Sequence, residues 1–133
     1  LGRAQLDSIE SRLVERDRLA TKYIDALGSV NGLTMPVTDT ASRRGWFTFP
    51  MLLSPEIDRD KVMVAMKDRG IETADYFPAL HDLPDYGNFC IQRSVLDIAK
   101  DVGQRLLCVR LWEGIDDGTI DTIVAELGKA ITS

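Results

Sequence analysis

Apolar residues recur at helical spacing in four separate stretches of the chain. From Ala4 to about Gly28 they fall at Leu6, Ile9, Leu13, Ala20, Tyr23 and Leu27, with Arg16 interrupting the stripe. The pattern predicts one helix of about seven turns, ended by Gly28 and turned by Asn31-Gly32. A second helix is framed by "SPEIDRDKVMVAMKDRG": Asp58 is placed to cap it, Val62, Ala65 and Met66 face inward, and Gly70 closes it. A third, "SVLDIAKDVGQRLL", puts Val95, Ile98, Ala99, Val102 and Leu106 on one face and is weakened by Gly103. In the last, Asp116 or Asp117 caps a core face of Ile120, Ile123, Val124, Leu127 and Ile131.

Between these stretches the period shortens. Leu33 to Pro36 reads as a short strand, and "WFTFPMLL" as a buried one bent or bulged at Pro50. Trp46, Phe47, Phe49, Met51 and Leu53 are expected in a central strand covered on both faces, with Trp46 only partly covered at its start. "IET" and "CVRLW" add two short strands. The order gives an α+β fold, a small antiparallel sheet packed against about four helices, because no βαβ unit repeats. Residues 1–133 are expected to form a single domain.

Composition narrows the function classes. The 133 residues carry a net charge of −5, which disfavours a nucleic-acid surface. The longest apolar runs are too short to span a bilayer, so no membrane association is expected. Cys90 and Cys108 lie in no metal-binding spacing and suit free thiols in a reducing cytoplasm. No phosphate-cradling glycine loop is present, and His81, the one histidine, has no second imidazole to build a metal site. The charges of "ESRLVERDR" read as a solvated helical face.

One segment stands apart. "GIETADYFPALHDLPDYG", residues 70 to 87, gathers two tyrosines, a phenylalanine, the histidine and two prolines in a loop too irregular for core. Gly70, Ile71, Glu72, Thr73, Tyr76, Phe77, Pro78, Leu80, His81, Pro84 and Tyr86 follow, in order, a pattern that resembles the carboxy-terminal small domain of the DegT-type family. These are the pyridoxal-phosphate-dependent nucleotide-sugar aminotransferases of aspartate-aminotransferase-like fold. The opening "LGRAQL" resembles the start of the long helix that enters that domain, and "GWFTFPMLL" and "LLCVRLW" resemble its strands, so the likeness spans essentially the whole chain.

The resemblance implies a domain that packs on a large cofactor-binding domain and lends it a loop enclosing the sugar. Tyr76, Phe77, His81 and Tyr86 are the candidate substrate-loop residues it marks. From the residues themselves, His81 reads first as a loop-fixing residue hydrogen-bonded to backbone, ahead of a ligand contact, and Tyr76, Phe77 and Tyr86 first as packing for the loop. In the family the Schiff-base lysine, the cofactor-stacking histidine and the aspartate at the pyridinium nitrogen belong to the large domain. Lys22, Lys61, Lys67, Lys100 and Lys129 all fall in ordinary charged helices. No catalytic residue, cofactor-binding residue or metal ligand is therefore assigned, and no cofactor is expected for the chain in isolation. It reads as a detached or truncated small domain, catalytically silent by itself. The alternative is a free-standing interaction module that reuses the old interdomain surface. A homodimer through the first helix is expected, Arg16 pairing with Glu10, Glu15 or Asp17 of the partner, and a separate large domain is a further possible partner.

Overall fold

A computed structural model describes residues 2–38, 43–87 and 95–132. The first helical stretch is two helices, α1 (Gly2–Leu6) and α2 (Ile9–Leu27), not one. The break falls at Asp7 and Ser8, whose short polar side chains compete with the helical backbone. The chain then runs through β1 (Leu33–Thr34), β2 (Phe49–Leu53), α3 (Arg59–Asp68), β3 (Thr73–Ala74), a 3-10 turn at Leu80–Asp82, α4 (Pro84–Gly87), α5 (Asp97–Arg105), β4 (Leu106–Val109) and α6 (Asp117–Thr132).

The four strands form one antiparallel sheet in the order β1-β2-β4-β3, which is the α+β arrangement expected. Phe49 stands opposite Val109 and Met51 opposite Leu107, so these four side chains share a face. Against that face pack Leu19, Tyr23 and Leu27 of α2, Val62 and Met66 of α3, and Ile120 and Leu127 of α6, all essentially inaccessible to water. The Tyr23 ring stacks on Phe49 with centroids 5.0 Å apart, and burial pushes the Tyr23 phenol up to about 12. Removing a side chain the size of Phe49 from water stabilises the fold by roughly 2–3 kcal/mol.

Helix punctuation follows the sequence where a side chain caps. Asp58 accepts from the backbone N–H groups of Asp60 and Lys61, and Asp116 accepts from that of Thr119. Gly70 has φ +76°, the left-handed conformation expected of it after α3, whereas Gly28 stays right-handed at φ −60°.

Several expectations need correction. The strand begins at Phe49, not Trp46. Trp46 has φ +41°, is 7% exposed rather than half open, and donates from Nε1 to Asp17 Oδ1 at 2.7 Å. Phe47 points outward at 66% exposure. Pro50 causes no bulge: β1 pairs only with Leu52 and Leu53, so Pro50 has a strand neighbour on one side and its missing N–H breaks no ladder there. The third strand lies at Thr73–Ala74, displaced from "IET", and the fourth starts at Leu106, which the sequence pattern had placed in the preceding helix.

The charges of α2 stay largely exposed, with Arg18 and Glu15 paired along the helix as expected, and several also fasten distant segments. Arg43 closes on Glu10 and Asp17, Arg12 and Arg16 reach Glu113, and Arg18 bridges Glu15 and Asp117. Arg16 also donates to the Gly45 carbonyl of its own chain. The apolar stripe is likewise covered in its second half, at Leu19, Tyr23 and Leu27, leaving only Leu6 and Ile9 substantially open.

Candidate functional site

The loop after β3 crosses the sheet face that α2, α3 and α6 do not touch. Cys108 and Pro50, paired across β2 and β4, point to that side, and the Cys108 thiol approaches the Tyr76 carbonyl at 3.9 Å. Burial raises the Cys108 pKa, keeping it a thiol rather than a nucleophilic thiolate. Beyond Tyr76 the backbone is held by successive local turns, Asp82 N–H to Ala79, Leu83 to Leu80 and Tyr86 to Leu83. This chain of turns arises because Pro78 and Pro84 forbid a continuous helix or strand.

Each side chain marked by the sequence lies on this loop. Tyr76 and Phe77 stack obliquely with centroids 5.3 Å apart, and Phe47 joins them at 5.6 Å from Tyr76. Their exposures are 41%, 70% and 66%, and Tyr86 is 52% exposed. Tyr76 and Phe77 are thus brought together, while Tyr86 sits further along in α4. His81 is half-buried in the 3-10 turn, with Nε2 3.7 Å from Asp82 Oδ1.

The electrostatics of the loop are set from α3 and α5. Arg59 donates to the Gly103 carbonyl at 2.7 Å, pairs with Asp60, and stands 3.9 Å from Asp75. Arg105 donates to the Leu53 carbonyl at 2.6 Å and holds the Asp101 carboxyl below its usual range. At the far edge Arg110 pairs with Glu72 at 2.7 Å beside Trp112, in a groove of about 340 Å³ between β3 and α6. Arg110 and Glu72 are both largely exposed, so the pair contributes little to stability.

The described lysines do not fit aldimine chemistry. Lys22 is bound to Asp117 and Asp121, Lys61 to Asp58 and Lys129 to Glu126, while Lys67 and Lys100 lie exposed on helices. An aldimine-forming lysine needs a desolvated site beside a ring-pairing carboxylate. Among the described residues no charged side chain is buried, and no cluster of His, Cys, Asp and Glu could hold a metal ion. No described helix is long and apolar enough to cross a membrane. Cys90 lies outside the described residues.

The third helix expected from the sequence is present as α5, within the stretch 94–107, but its apolar face is not core. Its face of Val95, Ile98 and Ala99, expected in the core, is exposed, and α5 contains no buried residue. No sequence signal marked this exposure, because an amphipathic stripe ordinarily packs on a core.

Comparison with known proteins agrees with this architecture. The chain is 33% identical over 132 residues to dTDP-4-dehydro-2,3,6-trideoxy-D-glucose 4-aminotransferase of Saccharopolyspora spinosa, covering 98% of this chain and 33% of that enzyme. It is 25% identical over 134 residues to GDP-perosamine synthase of Caulobacter vibrioides, covering 98% of this chain and 36% of the synthase. The fold superposes on the aminotransferase TlmJ of Streptoalloteichus hindustanus with a TM-score of 0.85 at 22% identity, across 98% of this chain and 35% of that one. The chain therefore spans about a third of the length of the curated relatives it matches. The family model of the DegT/DnrJ/EryC1/StrS aminotransferases matches residues 1–128, and the chain belongs to that family.

Proposed function

We propose that this chain is the small domain of a nucleotide-sugar aminotransferase and performs no transamination in isolation. The observation that carries the reading is the match of nearly the whole chain to only a third of its relatives. Pyridoxal phosphate, held by a large domain, supplies the electron sink for amino transfer when bound. The part played by residues 1–133 is to close that site: the loop from Ala74 to Gly87 excludes water and sets Tyr76, Phe77, His81 and Tyr86 against the sugar. The setting is the cytoplasm, which suits a free Cys108.

The test is spectroscopic. Purified chain incubated with pyridoxal phosphate gives no visible absorption band that borohydride reduces onto one lysine. Adding the large domain of the Saccharopolyspora spinosa relative produces amino transfer to its keto sugar above the rate of that large domain by itself. A single reducible lysine in the isolated chain defeats the proposal.

A second reading, self-association as a dimer, is favoured by Leu6 and Ile9, exposed at 63% and 44%. With Leu13 they line a groove on α1 and α2 that a twofold mate could fill. Light scattering that gives the mass of two chains, reduced to one by Leu13→Glu, supports it; a single-chain mass excludes it. In this form the chain is an interaction module rather than an enzyme part.

A further inference from the structure

Arg59 opens α3. Asp58 caps that helix through the backbone N–H groups of Asp60 and Lys61, which fixes Arg59 as its first residue. Side chains lean toward a helix's N-terminus, so a residue of the first turn projects past its end. The Arg59 guanidinium leaves α3 in this way and lies between α5 and the start of the aromatic loop. One edge of its fork is pinned, with Nε and Nη2 at 3.0 and 2.9 Å from Asp60 Oδ1. The remaining nitrogen, Nη1, donates to the Gly103 carbonyl at 2.7 Å and faces Asp75 Oδ2 at 3.9 Å. At 16% this is the least exposed of the ion-paired arginine side chains among the described residues, so water and salt screen it least.

These contacts bracket the two aromatic residues at the head of the loop. Asp75 directly precedes Tyr76. Gly103 abuts Ala79, two residues after Phe77: a Cβ added at the glycine would lie 3.2 Å from the Ala79 backbone nitrogen. Tyr76 and Phe77 therefore span two fixed points, and both points refer to one guanidinium. Past Ala79 the chain is held by its own turns, in which Asp82, Leu83 and Tyr86 each donate to the carbonyl three residues earlier. Arg105, the neighbouring arginine, ties α5 to Asp101 and to the Leu53 carbonyl of β2 instead.

We infer, on the reading of residues 74–87 as the segment that closes over the sugar, that Arg59 is a positioning residue for it: Arg59 fixes where Tyr76 and Phe77 stand without meeting the sugar itself. The fork is what suits arginine to the task. A lysine ammonium is a single point of charge, which cannot be pinned on Asp60 and still reach α5 and the loop from a second nitrogen.

The test uses the full chain and has two arms. In the chain alone, iodoacetamide labelling of Cys108, mapped by mass spectrometry, reads whether the segment at Tyr76 still covers the thiol. Arg59→Ala speeds this labelling about tenfold, the scale of one lost charge-assisted hydrogen bond. With the large domain of the Saccharopolyspora spinosa relative added, the same variant raises KM for the keto sugar about tenfold and changes kcat less than about twofold, the pattern of lost substrate binding. Arg69→Ala, at the other end of α3 and paired with Glu126, leaves both readings unchanged. Circular dichroism of each variant verifies folding, and Arg59→Lys, expected to move both readings in the same direction, replaces Arg59→Ala if that variant is unfolded. Labelling that Arg59→Ala leaves unchanged overturns the inference. So does a fall in kcat at constant KM, or an equal effect from Arg69→Ala. Failure of the unsubstituted chain to support amino transfer counts against the small-domain reading instead, and the labelling arm then decides by itself whether Arg59 sets the loop.

Discussion

The two faces of the four-stranded sheet are built from the same strands yet solve opposite problems. One face sets Phe49, Met51, Leu107 and Val109 against α2, α3 and α6, with each of these side chains at 1% exposure or less. The other carries Pro50, Leu52, Leu106 and Cys108 under α5 and the aromatic loop, whose own outer side chains stay open. The first face is closed by helices whose stripes find matching side chains at once. The second is roofed by elements that have an apolar side left over. The difference teaches that α5 and the loop are not layers of the core.

Truncation variants are the sharpest way to break this comparison. On the closed face, Phe49→Ala or Leu107→Ala leaves a cavity with no mobile neighbour to fill it and costs about 3–5 kcal/mol. On the open face Ile98→Ala, at 82% exposure, changes stability by no more than about 0.5 kcal/mol. Urea unfolding followed by far-ultraviolet circular dichroism reads both. Equal losses would mean that the two faces do not differ as described.

A smaller effect is expected where α5 meets the loop. Gly103→Val drives a branched side chain into the Ala79 backbone, which lies at contact distance from the glycine. Overpacking of this kind costs about 1–3 kcal/mol. Its distinctive consequence is local: as the loop lifts, Cys108 loses its cover at the Tyr76 carbonyl and becomes reactive. Iodoacetamide labelling mapped by mass spectrometry to Cys108 should be slow in the parent chain and markedly faster in the variant. Unchanged labelling would place the cover of Cys108 elsewhere.

Smallest is the response to acid. Asp58, Asp101, Asp116, Asp117 and Glu126 are all held below their ordinary values, by capped backbone N–H groups or by arginine, lysine and threonine partners. A carboxyl with a depressed folded pKa stabilises the fold above its unfolded value, near about 4, and loses that contribution as pH falls through the folded value. The urea midpoint should therefore hold from pH 7 to 5 and decline below about 4. Because these groups are exposed the decline is gradual and shrinks in high salt. Asp101→Asn, on the α5 side, and Asp116→Asn, at the start of α6, should each remove part of it.

The closed half of the fold was legible in the sequence because its rules are local. Asp58 and Asp116 cap the helices they precede, and Gly70 takes the left-handed turn expected of it. Phe49, Met51 and Leu53 alternate onto one face as strand period requires. The resemblance to the aminotransferase family was carried by a string of loop residues whose order survives without reference to geometry. Positions where the reading failed share a cause. Asp17 reaches Trp46 across 29 residues and Arg16 reaches Gly45, so a helical face that looks solvated in sequence is a docking strip for a distant loop.

Amphipathicity by itself determined that residues 97–105 form a helix with one apolar side; it could not determine whether that side is covered. Only the tertiary structure decided this, because coverage depends on area elsewhere in the chain. The apolar area of α2, α3 and α6 is already matched to one face of the sheet, leaving none for Val95 and Ile98. Sequence likewise fixed the chemistry available to the loop, two tyrosines, one phenylalanine and one imidazole among carboxylates. Which of them meet, Tyr76 with Phe77 and with Phe47 from the segment leading into β2, was decided by the path of the backbone outside the strands, because the strand registers alone send residues 47 and 76 toward opposite ends of the sheet.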